Sequence, residues 1–283
     1  MKVFITGVSG QLGHDVAAVL AARGIEYMGI SSKELNICDK YAVFAVIGDY
    51  KPDAVIHCAA YTKVDLAESE PEKCWSVNVD GTRNIAEACR KLGAKMVYIS
   101  TDYVFPGEGD RPYEVDDPTC PLNTYGRTKL AGELAVQSMT DKYFIVRTSW
   151  LIGANGRNFV KAILRHAETR DELNVVCDQV GSPTFSADLA PLLCDMIMTE
   201  KYGVYHATNE GTCSWAELAE EVFRLAGKNV RVKYVTTEEY GAKAWRPKNS
   251  RLSKEKLSEN GFERLSEWND ALRTYIKCCT WGL

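Results

Sequence analysis

The sequence predicts an α/β fold, a doubly wound parallel sheet with a smaller, interleaved C-terminal lobe. Short β-branched or apolar runs alternate with longer helix-period stretches as far as Trp150, a glycine-rich turn separates the first run from the first periodic stretch, and the rhythm loosens afterwards. Strand–helix–strand repetition at this pace implies right-handed crossovers with helices on both faces of the sheet.

In chain order, the pattern predicts a strand over 3–6, a helix over 11–23, a strand over 26–30, a helix over 40–50 and a strand over 54–58. A helix over 71–92, a strand over 95–100, a helix over 125–139 and a strand over 143–147 follow. Beyond Trp150 it predicts a helix over 158–169, a strand over 173–176, a helix over 188–199, a strand over 204–207 and a helix over 214–226. A strand over 230–235, a Pro-interrupted loop over 244–249 and a closing helix over 266–277 complete the chain. Residues 1–150 read as the first domain, with later contributions from about 186–209, and 151–283 mainly as the interleaved lobe. No internal repeat is visible.

The 283 residues are 46% hydrophobic and 25% charged, enough to build a substantial core without low-complexity segments. A net charge of −4 and the absence of a Lys/Arg-rich run argue against a nucleic-acid partner. The ten cysteines are scattered among apolar neighbours without metal-site or disulfide-scaffold spacing, and read as reduced core residues. No stretch reaches the length of a membrane span, and residues 2–6 already look like a buried strand, so a cytoplasmic protein with no membrane partner is expected.

The turn is Gly7-Val-Ser-Gly10-Gln11-Leu12-Gly13, between the strand ending at Thr6 and an apolar-periodic helix. Glycines there permit close backbone approach, and the free amides and positive dipole end of the helix suit a pyrophosphate, as in the Rossmann type of sheet. A dinucleotide coenzyme is therefore expected. The second strand ends Gly29-Ile30-Ser31-Ser32-Lys33 instead of in an acid, which would tolerate the 2′-phosphate of NADPH, although Glu34 follows at once; both NADPH and NADH are carried forward. Asp39 reads either as an adenine contact or as the N-cap of the next helix.

Tyr125 and Lys129 lie four residues apart and so share one helix face. A cation beside a phenol favours phenolate and is expected to lower the tyrosine pKa toward working pH, where the group can exchange a proton. The pair follows the fourth strand, whose carboxyl end reads Ser100-Thr101-Asp102-Tyr103, and open α/β sheets bind ligands at such strand ends.

Taken together, the glycine turn, Cys58-Ala59-Ala60-Tyr61-Thr62, Asn78-Val-Asp-Gly81, Ser100-Thr-Asp-Tyr-Val-Phe105 and the Tyr125/Lys129 pair resemble the extended short-chain dehydrogenase/reductase family. The run from Val64 to Pro71, the segments around Pro121, Arg147-Thr-Ser-Trp150 and Asp178-Gln179-Val-Gly-Ser-Pro-Thr184, and Arg246-Pro-Lys-Asn249-Ser-Arg-Leu252 resemble its dTDP-4-dehydrorhamnose reductase branch over essentially the whole chain. That resemblance implies reduction, by NADPH or NADH, of the 4-keto group of a nucleotide-linked deoxysugar, within dTDP-rhamnose biosynthesis. It implies that Tyr125 protonates the developing alkoxide, Lys129 holds the nicotinamide ribose, and Thr101 hydrogen-bonds the keto oxygen. It further implies coenzyme contacts from Gly7, Gly10, Gln11, Leu12, Gly13, Ser31, Asp39, Ala59, Ala60, Tyr61 and Asn78. The sugar pocket would be lined by Thr62, Val64, Asp102, Tyr103 and Trp150, with Gln179, Arg246 and Asn249 closing over the diphosphate; Trp150 reads equally as packing and Arg246 as a surface ion pair.

Some family members pair into dimers through acidic residues and a divalent metal; Asp15 and Asp188 fall near those positions but are shorter than glutamate, which argues against metal-dependent pairing; a homodimer and no bound metal are carried forward. Three rival readings share the fold: a sugar-nucleotide epimerase, a dehydratase, and a non-catalytic regulatory subunit of the methionine adenosyltransferase type. Dehydratases resemble Thr-Asp-Glu where this chain has Thr101-Asp102-Tyr103, epimerases lack the Arg246-Pro-x-Asn-Ser ending, and the retained Thr101, Tyr125 and Lys129 argue against a purely regulatory role.

Overall fold

Strand β1 (Lys2–Thr6) is buried from Val3 onward, the mark of an interior parallel strand covered on both faces. The computed structural model describes residues 1–278. It joins β1 to β2 (Glu26–Ile30), β3 (Ala54–His57), β4 (Lys95–Thr101), β5 (Tyr143–Thr148) and the late strand Gly203–His206 in one six-stranded sheet. Every pairing is parallel, and the order is late strand, β5, β4, β3, β1, β2. The chain therefore reverses direction across the sheet between β1 and β3, and such a switch point opens a crevice beyond the strands' carboxyl ends. Register brings Thr6 opposite His57, and Thr101 opposite Thr148, along that edge.

The helix Gln11–Ala22 buries Leu12, Val16 and Leu20 on one face of the sheet, together with Leu189 and Leu193 from the helix Ser186–Met196. Thus a helix distant in sequence completes the layer begun by the first one. The opposite face packs Phe4, Val55 and Met96 against Val43, Ile85 and Val136 from helices Lys40–Tyr50, Thr82–Leu92 and Thr124–Met139. A further core, including Ile152, Val160, Leu173, Phe223 and Trp268, belongs to the later elements. There Glu172–Val176 pairs in parallel with Arg231–Val235, and Val180–Gly181 lies between Cys213–Ser214 and Asn249–Ser250.

Several expected elements differ in instructive ways. The helix over 71–92 is Pro71–Trp75, a π-helical Ser76–Gly81 and Thr82–Leu92, with helical backbone at both joins. The widened segment carries Asn78 and ends at Gly81, where a Cβ would lie 2.7 Å from Ile37 Cγ1. Strands β4 and β5 each run one residue past their expected ends, because Thr101 and Thr148 pair with one another although their side chains read as loop. Two-residue strands at Leu151–Ile152, Val180–Gly181 and Thr184–Phe185 leave no periodicity to detect, being set by tertiary pairing. The cysteines are not uniformly core: Cys74, Cys89, Cys194 and Cys213 are buried, whereas Cys120 and Cys278 are exposed; Cys279 lies outside the described residues. Among the described residues no helix is long and apolar enough to cross a membrane.

The helix Thr124–Met139 lies close against the sheet because Gly132 presents no side chain: a Cβ there would stand 2.7 Å from Asn78 O and still nearer the Tyr98 hydroxyl. Gly132→Ala is therefore expected to destabilise the fold by about 1–3 kcal/mol despite the better helix propensity of alanine. Urea denaturation checks this, and stability equal to the parent would contradict the close approach.

Candidate active site

The cleft begins at the end of β1. The Thr6 hydroxyl accepts a bond from the Ala59 amide at 3.2 Å, joining the exits of β1 and β3. Gly7 follows with φ +72°, and a Cβ on it would meet Ala59 N at 2.8 Å, so the turn has both a conformational and a steric need for glycine. Gly10 starts the helix Gln11–Ala22 with extended backbone and no side-chain cap. The first-turn amides of Gln11, Leu12 and Gly13 therefore stand as donors at the positive end of the helix, where an anionic group is favoured. A cavity of about 880 Å³ opens from this turn past Ser31, Ala59 and Ala60 to Thr101, Tyr125 and Lys129 at the other end. The glycine cradle and this volume fit a nicotinamide dinucleotide lying across the switch point.

The side chains at the far end come from three elements. Asn123 caps the helix Thr124–Met139, accepting a bond from the Gly126 amide at 2.7 Å, and so starts the helix where Tyr125 and Lys129 both face the cleft. At the end of β4, the Thr101 hydroxyl donates to Asp102 Oδ1 at 2.9 Å while accepting from the Tyr103 amide at 3.2 Å. The Ser250 hydroxyl donates to the other Asp102 oxygen at 2.5 Å, tying the late strand Asn249–Ser250 to β4. Tyr103 packs edge-on to Tyr125, with ring centroids 5.7 Å apart.

Burial governs the electrostatics. Lys129 is only 2% exposed, with Nζ 4.0 Å from the centre of the Tyr98 ring. Loss of water lowers its pKa to about 7, against the opposing influence of Glu133. Tyr125 is pushed above its ordinary value, first by burial and then by the Asp102 carboxylate, with the Thr101 hydroxyl acting the other way. The expectation that Lys129 brings Tyr125 down toward neutrality is thus corrected for this structure: burial of the phenol, and the Asp102 carboxylate beside it, raise it instead. Burial likewise raises Asp102 to about 6, although Ser250 and Thr101 both hydrogen-bond its ionised form.

Of the residues singled out from the sequence, Gly7, Gly10, Gln11, Leu12, Gly13, Ser31, Ala59 and Ala60 line the glycine-turn end of the cavity, and Thr62, Val64, Thr101, Asp102, Tyr103 and Trp150 line the rest with Tyr125 and Lys129. Six others are not brought to its wall. Asp39 caps its helix through the Ala42 amide at 3.1 Å. Asn78 is 1% exposed and acts behind the wall: it accepts from the Tyr61 amide and donates to the Tyr61 carbonyl and the Thr128 hydroxyl, fixing the loop that presents Ala59 and Ala60. The Tyr61 phenol donates to Glu70 at 2.9 Å. Gln179 donates to the Thr237 hydroxyl, Asn249 donates to the carbonyls of Glu108 and Arg111, and Arg246 pairs with Asp65 at 2.8 Å.

The sequence reading missed Trp215, which lines the cavity and stacks on Trp150 at 3.7 Å between centroids, and Ser250. It also missed Glu133, whose spacing of four from Lys129 was a legible signal. Asp15 accepts from the Ser186 hydroxyl at 2.5 Å and Asp188 from Asn209 and Ser266, each at 2.6 Å; among the described residues no group of three or more His, Cys, Asp or Glu could hold a metal ion.

Comparison with known proteins places this geometry in context. The family model described as the RmlD substrate binding domain matches residues 1–280. A dTDP-4-dehydrorhamnose reductase of Streptomyces griseus is 43% identical, the alignment covering 95% of this chain and 90% of that protein. The spore coat polysaccharide biosynthesis protein SpsK of Bacillus subtilis is 42% identical over 98% of this chain and 97% of its own length. A crystal structure of dTDP-4-dehydrorhamnose reductase from Bacillus anthracis in complex with NADP superposes with a TM-score of 0.95, at 44% identity and 98% coverage of both chains.

The raised Asp102 pKa has a measurable sign. A carboxyl whose folded pKa lies near 6 instead of about 3.9 stabilises the fold fully below pH 4 and loses that contribution as pH rises through 6. Asp102→Asn, which keeps the bond from Thr101, is therefore expected to gain on the parent by roughly 2 kcal/mol between pH 4 and pH 7. Urea denaturation of both chains at the two pH values measures the gain, and parallel stabilities at both would contradict it.

Proposed function

The chain belongs to the RmlD family, that of the dTDP-4-dehydrorhamnose reductases, and on that premise we propose how its cleft carries out the family's reaction, the NAD(P)H-dependent reduction of dTDP-4-dehydro-L-rhamnose to dTDP-L-rhamnose. The observation that carries the reading is the convergence of Thr101, Tyr125 and Lys129 at one end of a cavity whose other end is the uncapped helix at Gly10. When bound, the nicotinamide supplies a hydride to the carbonyl carbon of the sugar.

The chain's own residues manage the oxygen. As negative charge develops there, hydroxyls held at the strand and helix ends can donate to it without reorganising, the arrangement that most lowers such a barrier. Thr101 now donates to Asp102 and would turn toward the keto oxygen in the complex. Tyr125 gives up its phenolic proton to the alkoxide; its upward-shifted pKa keeps it protonated and ready as an acid. Lys129 holds the ribose hydroxyls and, when protonated, stabilises the phenolate left behind. Because Lys129 lies near neutrality, this support is present below about pH 7 and fades above it.

Thr62, Val64, Tyr103 and Trp150 form the sugar pocket in this reading. Asn78, Tyr61 and Asp39 serve the coenzyme indirectly, by positioning the loops they hold. Contact of Arg246 with the diphosphate requires exchanging the Asp65 carboxylate for a phosphate, a natural swap for a guanidinium. Gln179 and Asn249 then shape the loops around it. Residues 1–150, with about 186–209, supply the coenzyme half and the remainder mainly the substrate lobe. In this reading the enzyme is cytoplasmic and pairs as a homodimer.

Tyr103 stands where dehydratases, reading Thr-Asp-Glu, have glutamate; elimination thereby lacks that extra carboxylate base, so coenzyme is consumed instead of regenerated. Purified protein given dTDP-4-dehydro-L-rhamnose is expected to oxidise one NAD(P)H per sugar reduced, without a partner protein. Release of a dehydrated 4-keto-6-deoxy sugar from dTDP-glucose would overturn the reading. Tyr125→Phe should keep coenzyme affinity, measured by tryptophan fluorescence, and lose about 100- to 10,000-fold in kcat. Near-parental kcat would remove Tyr125 from the proton-donor role.

A further inference from the structure

Tyr125, Lys129 and Glu133 stand at i, i+4 and i+8 of the helix Thr124–Met139, on one face directed into the protein. Glu133 is 2% exposed and its carboxylate is fully engaged. Arg147 of β5 binds it through two parallel bonds, Nε to Oε1 at 2.9 Å and Nη2 to Oε2 at 2.8 Å. The Ser100 hydroxyl of β4 donates to Oε1 at 2.5 Å. Ser100 immediately precedes Thr101, and Arg147 pairs across the strands with Ser100. One carboxylate therefore ties the helix that carries the proton-transfer pair to the strand end that carries the hydroxyl opposing it. None of these three residues is needed for the family's reaction as written above.

We propose that Glu133 is a positioning residue for this reductase: it locks the helix bearing Tyr125 and Lys129 against the ends of β4 and β5, and it sets a carboxylate one turn along the same buried face from Lys129. The inference rests on the reductase reading for its kinetic readout and on geometry alone for its structural one. A surface helix needs no such tie, and a purely structural pair would be as well served by apolar residues of the same volume, which avoid the desolvation of two charges. What apolar residues cannot supply is an electrostatic partner for a lysine that water does not reach.

The groups facing Lys129 are Tyr125 and Glu133 from its own helix, Tyr98 from β4, His57 and Cys58 at the end of β3, and Cys74 from the helix Pro71–Trp75. Burial holds His57 neutral and both thiols protonated at working pH, which leaves Glu133 as the anion among them. Arg147 moderates its charge and is itself hemmed in by the Val115 carbonyl, the Phe105 ring and a neutral His206.

The test is charge-specific. Glu133→Gln keeps the volume and removes the charge, so Lys129 should deprotonate at a pH lower by about one unit; Arg147→Met leaves the carboxylate unopposed and should move it up. The titration is read from the ε-methylene carbon signal of Lys129 in the coenzyme-free full-length chain, assigned with Lys129→Arg, and needs no turnover. The alkaline limb of kcat with dTDP-4-dehydro-L-rhamnose should move in the same two directions, with coenzyme affinity changed less than threefold, and Glu133→Asp should return the limb toward the parent. A limb and carbon titration unchanged in Glu133→Gln would overturn the proposal, leaving the residue structural. Absence of turnover in the parent chain would instead refute the reductase reading, and the carbon titration would still decide the role of Glu133. Should Glu133→Gln fail to fold, Ser100→Ala decides: a loss of at least about threefold in kcat with coenzyme affinity kept supports the tie, and parental kcat overturns it.

Discussion

The bidentate pair of Glu133 with Arg147 joins three things that must be in register for the cleft to exist: the helix Thr124–Met139, the end of β4 and the end of β5. Both side chains are almost wholly removed from water, and removing one partner of such a pair is far more costly than replacing both. The remaining donors and acceptors around it are satisfied by Ser100 and the Val115 carbonyl, which is the condition under which a buried ion pair is tolerable. The glycine at 132, one residue before Glu133, lets the helix approach closely enough for these short bonds to form.

From that framework the chemistry of the cleft follows by burial. Desolvation shifts Tyr125 and Asp102 up and Lys129 down, so all three are held nearer their neutral forms than in water. A site that receives hydride and a proton in one step gains from this. In the proposed reaction Tyr125, the acid, stays protonated, while Lys129, which would steady the phenolate, is poised near neutrality. The glycine-turn end is built on a different principle, offering uncapped backbone amides at the positive start of a helix.

Much of this was written locally in the chain. The spacing of the first five strands and the glycine turn between Thr6 and Gln11 sufficed for the sheet, because interior parallel strands are unbroken apolar runs and a helix-opening turn needs glycine at fixed places. Tyr125, Lys129 and the Thr101 strand end were legible for the same reason: helical periodicity and strand order put them at one edge. What the sequence hid were consequences of distance. Trp215 meets Trp150 at a sequence separation of 65, and Ser250 reaches Asp102 at one of 148, with no local pattern announcing either contact. Asn78 read as a coenzyme contact yet proves to brace the Tyr61 backbone from behind, since a motif records that a residue sits near a site without recording which way it faces. The direction of the Tyr125 shift was also out of reach, because it depends on how completely folding excludes water.

The stacked pair Trp150 and Trp215 carries a consequence of a different kind. Trp150 occupies left-handed backbone, φ +49°, at the exit of β5, and Trp215 opens the helix Trp215–Leu225 of the later core. Their rings lie 16° from parallel at 3.7 Å, close enough for the excited states of the two indoles to mix. The protein is thereby expected to carry an intrinsic chiroptical gauge where the exit of β5 meets the later core: an exciton couplet in circular dichroism whose amplitude reports, without any label, how Trp150 and the helix Trp215–Leu225 are aligned.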